Sequence, residues 1–342
     1  MVGLILYGEM AKKSELIAGI TDQFVLTPIS LLWLIGAIIM TVLRDFGYIW
    51  QLRVLTDRNL SWMACTEVIL LWNFFAAVSP SMVGGAAIAI FMLVKEKLSI
   101  GRSTAIIFTT VFLDQVFYTS IPLLTSLFIP QSEIFAPLSG IKSELIGTSM
   151  IAAFWAAWGT LVAYVFLLIG ALFIAPNWIN QILARLLLRP LFRRWRSRGL
   201  HLVNDLFTAS RDLRNRKSNF WFEVWAATSV AWMGRFFVMN FMLAAFSSTP
   251  MGWFDHFLTI GRQAVLAIIM VISPTPGSAG VAELGFSWLL HDLTPTGMGL
   301  SLAILWRLLT YYPHLIIGVP IMTRWIKRVY GSDIRQHPIH FD

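Results

Sequence analysis

The feature that most constrains this chain is the recurrence of apolar windows about twenty residues long, the length at which an α-helix crosses the hydrocarbon of a bilayer. They lie near Ile29–Trp50, Trp62–Val78, Thr104–Ile129, Thr148–Ala175, Phe220–Phe246, Phe257–Ser273 and Met298–Met322. Soluble domains carry roughly a quarter charged residues. Here the charged share is 13% and the hydrophobic share 57%, with mean hydropathy +0.71. The longest hydrophilic interval, about Pro176–Ser218, is too short and too basic for a catalytic domain. The expected class is therefore an all-α polytopic membrane protein, one integral membrane domain over residues 1–342. A single cysteine, Cys65, excludes an intrachain disulfide and any cysteine-based metal cluster. Met1 leads straight into an apolar run without a small-residue cleavage site, so no signal peptide is expected. The net charge of +8 first means orientation in the membrane rather than nucleic acid.

Two further apolar segments, Pro80–Val94 and Pro274–Leu290, are too short to span, and each begins with a Pro/Gly cluster. They are expected to be re-entrant halves of broken helices. Charge placement supports this independently of length. Arg53 and Arg58 follow the first span, Lys95, Lys97 and Arg102 follow the first short segment, and Arg324, Lys327 and Arg328 follow the last span. A fourth basic cluster lies between Arg185 and Lys217. All four fall on the cytoplasmic side only if both short segments enter and leave on one face. The first hairpin then opens to the cytoplasm and the second to the outside.

The two segments resemble each other. Val78-Ser79-Pro80-Ser81-Met82-Val83-Gly84-Gly85-Ala86 parallels Ile272-Ser273-Pro274-Thr275-Pro276-Gly277-Ser278-Ala279-Gly280, at an offset of 194 residues from Ser79 to Ser273. The expected architecture is about seven spanning helices plus two re-entrant half-helices in an inverted repeat. Many transporters are built this way, with the substrate site between the repeats. Residues 1–147 would be the first half and 148–342 the second, with a basic cytoplasmic linker at 176–219. The alternative is that Ser-Pro with nearby glycines is a common membrane kink. The first half lacks a counterpart of Thr148–Ala175, since only Val2–Tyr7 is apolar before Ile29; either that half lost a helix or the sequence starts within a longer natural chain, and the second is expected.

Ionisable residues deep in a span are expensive and usually functional or paired. Asp114 lies ten residues into its helix, about 15 Å deep at 1.5 Å per residue. Arg307 lies nine residues into the last span, at an almost equivalent position in the other half. Arg44 and Arg235 sit deep in the first helix of each half, and Glu67 and Glu283 are further buried acids, each associated with a hairpin. These six residues are the candidate substrate contacts, with Ser79, Pro80, Gly84, Gly85, Pro274, Pro276, Gly277 and Gly280 shaping the hairpins. Guanidinium binds phosphate bidentately and stays charged when desolvated, so the three arginines suit a phosphate. Amides at the start of each half-helix would add anion affinity. The plainer alternative is a set of internal salt bridges, Asp114–Arg307 and Arg44–Asp45 among them.

Enzymatic chemistry lacks a constellation. The six histidines (His201, His256, His291, His314, His337 and His340) form no His-x-x-x-His pair, so no metal is expected. Gly277-Ser278-Ala279-Gly280 lacks the Lys-Ser/Thr of a nucleotide loop, so no ATP coupling and no cofactor are expected. Mixed Leu, Trp and Arg over Gln181–Ser218 suits an interfacial helix, or simply a topology-setting loop.

Taken together, Ser79-Pro80 with Gly84-Gly85, Lys95, Gly101, Asp114, the run Pro274-Thr275-Pro276-Gly277-Ser278-Ala279-Gly280-Val281-Ala282-Glu283 and Trp306-Arg307 resemble the transmembrane region of the lysylphosphatidylglycerol synthase/flippase family. The resemblance covers nearly the whole chain. It implies a helical bundle with two re-entrant segments, in a family whose best-studied members translocate aminoacylated phosphatidylglycerol between leaflets. The soluble aminoacyl-transferase domain of bifunctional members is absent from this sequence, so a non-enzymatic, flippase-like protein of the bacterial inner membrane is expected. Its partners would be anionic phospholipid or polyprenyl-linked lipid, not nucleic acid, and association into a homo-oligomer is compatible with it. Two other readings stay open: an intramembrane enzyme or assembly subunit acting on a polyprenyl-linked precursor, and a small-solute transporter.

Overall fold

The computed structural model describes residues 27–79, 82–139, 144–169, 215–247, 249–273 and 275–336, with 185 and 211 as single residues. Pro80, Pro274, the stretch Val2–Tyr7, His201, His337, His340 and most of the basic linker at 176–219 lie outside the described residues. The described elements are helical. In chain order they are α1 (Pro28–Leu55), α2 (Trp62–Val78), α3 (Met82–Lys95), α4 (Ile100–Phe128), the single turns α5 (Gln131–Ile134) and α6 (Ala136–Ser139), and α7 (Glu144–Ile169). There follow α8 (Ser218–Phe246), α9 (Trp253–Ile272), a 3-10 turn over Pro276–Ser278, α10 (Val281–Leu289), α11 (Gly299–Thr310) and α12 (Tyr312–Gln336).

Six of the described helices are long and apolar enough to cross a membrane, counting α11 and α12 up to Val329 as one. The chain is thus an all-α polytopic membrane protein, with one full-length span fewer than the apolar windows predict. The difference is α2. Its 17 residues reach only about 25 Å, short of a hydrocarbon core of about 30 Å. Both of its ends are fixed locally. The Ser61 hydroxyl accepts the Ala64 amide at the start, a standard N-cap. Ser79 leaves helical geometry at φ −80°, ψ 141°, as expected of a residue preceding proline. α2 and α3 then fold back on each other as a hairpin.

The last window also differs, breaking at Tyr311 between α11 and α12. Pro313 has no N–H to continue the ladder across that point.

The described helices fold as two compact units. One takes the chain up to Arg44 with Tyr118–Gly159 and Trp232–Pro313; the other takes Asp45–Phe117, Thr160–Ala231 and the chain from His314. In the first, Met239, Leu243, Leu266, Phe286 and Leu302 are buried. In the second, Leu52, Val68, Leu93, Leu113, Val224 and Trp325 form the core. Each unit contains a near-contact of α1 and α8 backbones at a glycine. A Cβ on Gly234 would lie 2.6 Å from the Met40 carbonyl oxygen, and one on Gly47 would lie 2.8 Å from that of Ala227. Small residues at such crossings are how membrane helices gain packing, because lipid supplies no hydrophobic drive. The opposite face of α1 exposes Ile29, Leu32, Ile35, Ile39 and Val42, apolar side chains that cost nothing against lipid tails.

Candidate functional site

The second hairpin is built around a short irregular turn. Gly277 and Ser278 have φ of +56° and +55°, and Gly280 has +88°. The left-handed region is cheap only for glycine, so two of the three positions are glycines. Gly277 has a second constraint, since any Cβ there would run into the Tyr311 ring. The Ser278 hydroxyl donates to the Met270 carbonyl at 2.8 Å, tying the turn to the end of α9. The Thr275 hydroxyl donates to the Ala279 carbonyl at 3.0 Å, closing the loop on itself.

Glu283 and Arg307 join this turn to α11. The Glu283 carboxylate accepts the Gly280 amide at 2.6 Å through Oε2, and Arg307 Nε at 2.9 Å through Oε1. Arg307 Nη2 donates to the Gly277 carbonyl at 2.6 Å. Its guanidinium carbon stands 3.9 Å from the Tyr311 ring centroid, within cation–π range. One turn along, Phe286 stacks on Trp306 with centroids 5.8 Å apart. The Glu283 and Arg307 side chains are only 8% and 5% exposed. A charge pair this dry persists because each partner neutralises the other, and removing one leaves a buried charge. The described carboxylate partner of Arg307 is thus Glu283, and the same side chain takes the Gly280 amide at the N-cap of α10.

The far end of α10 rests on a residue the sequence reading passed over. Arg262, nine residues into α9, is fully buried. It donates to the Glu133 carbonyl at 2.9 Å and to the Leu289 carbonyl at 3.1 Å, and forms an ion pair with Asp292. A cation at a helix C-terminus satisfies carbonyls that have no partner in the helix. Burial works to raise the Asp292 carboxyl, but the hydrogen bond and charge of Arg262 outweigh it and hold the group below the usual carboxylate range. A charge deep in an apolar window is the same signal that drew attention to Arg307, and applied evenly it points to Arg262.

Two other candidate arginines belong to the same unit. Arg44 Nη1 donates to the Thr310 carbonyl at 3.4 Å. The Arg235 guanidinium lies 5.0 Å from the Trp232 ring centroid, while the Arg235 carbonyl accepts Gln263 Nε2 at 3.3 Å.

The first hairpin belongs to the other unit and is paired differently. Glu67 on α2 accepts Arg328 Nε at 3.0 Å and Nη2 at 2.7 Å, both on Oε2. Arg328 also holds Glu96, just past α3. Glu67 Oε1 makes no hydrogen bond among the described residues, and Arg324 Nε stands 3.8 Å away. The Arg328 and Arg324 side chains are 41% and 65% exposed. Gly85 packs on α2, where a Cβ would fall 2.8 Å from Trp72 Cδ1. Ser79 caps α2 and Gly84 lies in the first turn of α3. Asp114 accepts the Tyr48 hydroxyl at 3.1 Å. Asp45, half-buried, pairs with the buried His314 at 3.1 Å and accepts Asn73 at 3.4 Å, a contact the sequence reading did not isolate. The structure therefore gathers Gly277, Gly280, Glu283 and Arg307 into one cluster, while Glu67 and Asp114 each have partners of their own. Among the described residues no three His, Cys, Asp or Glu side chains converge as metal ligands.

A bundle of spanning helices with a broken helix and a dry ion pair at the break defines a polytopic membrane protein with polar chemistry in its interior. Residues 21–318 match the family described as the lysylphosphatidylglycerol synthase TM region, and the chain belongs to that family. A UPF0104 membrane protein of Archaeoglobus fulgidus is 23% identical over 303 residues, covering 84% of this chain and 85% of that protein. No solved structure matches the chain.

Proposed function

We propose that this protein carries an anionic phospholipid or lipid-linked headgroup between the leaflets of the cytoplasmic membrane, with Arg307 as the phosphate contact. The observation that carries this reading is the arginine at the break in the second hairpin. Arg307 commits Nε to Glu283 and Nη2 to the Gly277 carbonyl, and Nη1 remains as a donor. Its plane is fixed by the Tyr311 ring. A guanidinium held rigid on one edge is preorganised for a phosphate oxygen on the other. Family membership makes a lipid the natural cargo, and the apolar outer face of α1 leaves acyl chains free to stay in the bilayer.

The test is translocation of labelled phosphatidylglycerol in proteoliposomes by a neutral pair, Glu283→Gln with Arg307→Gln. This pair removes both charges together, so the fold survives while the phosphate contact is gone. Retained folding with lost translocation is the expected result. Wild-type translocation by the neutral pair would sink the proposal.

A further inference from the structure

We infer that Glu283 takes up one proton when the phosphate of a headgroup binds Arg307, so that headgroup and proton enter the site together. This rests on the reading of Arg307 given above and adds its charge balance.

One guanidinium neutralises one anion. In the empty site that anion is the Glu283 carboxylate, 2.9 Å from Arg307 Nε, with both side chains almost dry. A phosphodiester headgroup brings a second unit of negative charge against the same cation. An uncompensated charge in so dry a place is costly enough that an ionisable group there changes protonation state instead. Glu283 is the group placed to do so. The proton comes from water and adds to a carboxylate oxygen; the phosphate takes over as counter-ion to Arg307. The other carboxyl oxygen still accepts the Gly280 amide, so the turn stays capped. On release of the headgroup the proton leaves and the original pair closes again.

The groups around Glu283 from each packed element bear on this. Its own helix offers the Gly280 amide. α11 offers Arg307, and beyond it stands the Tyr311 ring. From α9, Arg262 is committed to the opposite end of α10, on the Leu289 carbonyl and Asp292. From α1, Arg44 donates to the Thr310 carbonyl. Arg44 is thus the rival source of compensation: if its charge serves the phosphate, no proton is needed.

The experiment titrates short-chain phosphatidylglycerol into the purified full chain by calorimetry, in buffers of different ionisation enthalpy, which counts protons taken up per headgroup. The expected count is about one, with apparent affinity falling by up to tenfold per pH unit as pH rises. Glu283→Gln should flatten that dependence and bind more tightly than wild type on the alkaline side. The count in the wild-type protein stands even if the variant fails to fold. A count near zero, with binding that Arg307→Gln abolishes, overturns the proton step and leaves the Arg307 site standing. Binding that is absent, or that Arg307→Gln leaves unchanged, removes the Arg307 reading itself and the proton step with it.

Discussion

The two hairpins share a backbone plan and differ in chemistry. Each breaks at Ser-Pro and continues into small residues, at a separation of 194 residues. Yet the same offset places Gly261 opposite Glu67, and Ala89 opposite Glu283. In the first hairpin the acid precedes the break and is held by Arg328, a guanidinium with 41% of its side chain exposed. In the second the acid follows the break, caps its own helix, and shares a dry pair with Arg307. The position of a break is thus encoded locally by proline and glycine, whereas the role of the nearby acid depends on which distant helix packs against it. On this comparison the first hairpin buries its acid against a partly exposed arginine, whereas the second buries both members of its pair.

The sharpest way to break the comparison concerns orientation. Single cysteines at Ser99 and Ser278, in a Cys65→Ala background, are expected to label from opposite faces, cytoplasmic and external respectively. The signal is all-or-none, and labelling of both from one face would remove the inverted repeat.

Next in size is the cost of opening the dry pair. Arg307→Ala or Glu283→Ala alone should destabilise by about 3–5 kcal/mol, because either leaves a buried partner without its counter-charge. The neutral pair Glu283→Gln with Arg307→Gln should recover most of that. Thermal unfolding in detergent reads the difference, and a double variant as unstable as the singles would contradict the pairing.

Smaller again is the same substitution made in both hairpins. Gly277→Ala meets the Tyr311 ring and a left-handed backbone, for roughly 1–3 kcal/mol of overpacking plus about 1 kcal/mol of backbone cost. Gly85→Ala meets only the Trp72 and Ala76 side chains, with no positive φ. It should cost the overpacking part alone, and equal losses would show that the two positions are not strained differently.

The smallest effect lies at Asp292. Its carboxyl is held low in the folded protein, so its contribution is present above the ordinary carboxylate pKa of about 3.9 and fades as pH falls through the lower folded value. The side chain is 43% exposed, so the loss should stay below about 1 kcal/mol. Asp292→Asn should remove that share of the acid sensitivity of unfolding, and an unchanged acid limb would contradict the Arg262–Asp292 pairing.

Much of the fold was legible because bilayer thickness acts on sequence directly: the apolar windows fall on the observed helices, and both Ser-Pro sites fall where helices end. Length alone did not separate α2 from a true span, because 17 apolar residues sit at the margin. The break at Tyr311 was hidden inside a continuous apolar window, although Pro313 was there to signal it. Glu283 and Arg307 were recognisable as costly charges, but their partnership was not. It depends on the chain folding back between Leu290 and Met298 so that α10 lies along α11, and apolar content does not encode that return. Arg262 was missed because its segment was read for hydrophobicity and not searched for charge.

The most direct measurement of the division between hairpins compares Arg307→Lys with Arg328→Lys in one translocation assay, normalised to folded protein. A lysine keeps the charge and loses the planar fork. If the second hairpin handles the phosphate, Arg307→Lys slows movement of labelled phosphatidylglycerol by on the order of tenfold or more, a loss of about 1.4 kcal/mol per decade, while Arg328→Lys stays within a few-fold of wild type. Equal losses in the two variants, or a larger loss at Arg328, would contradict that division.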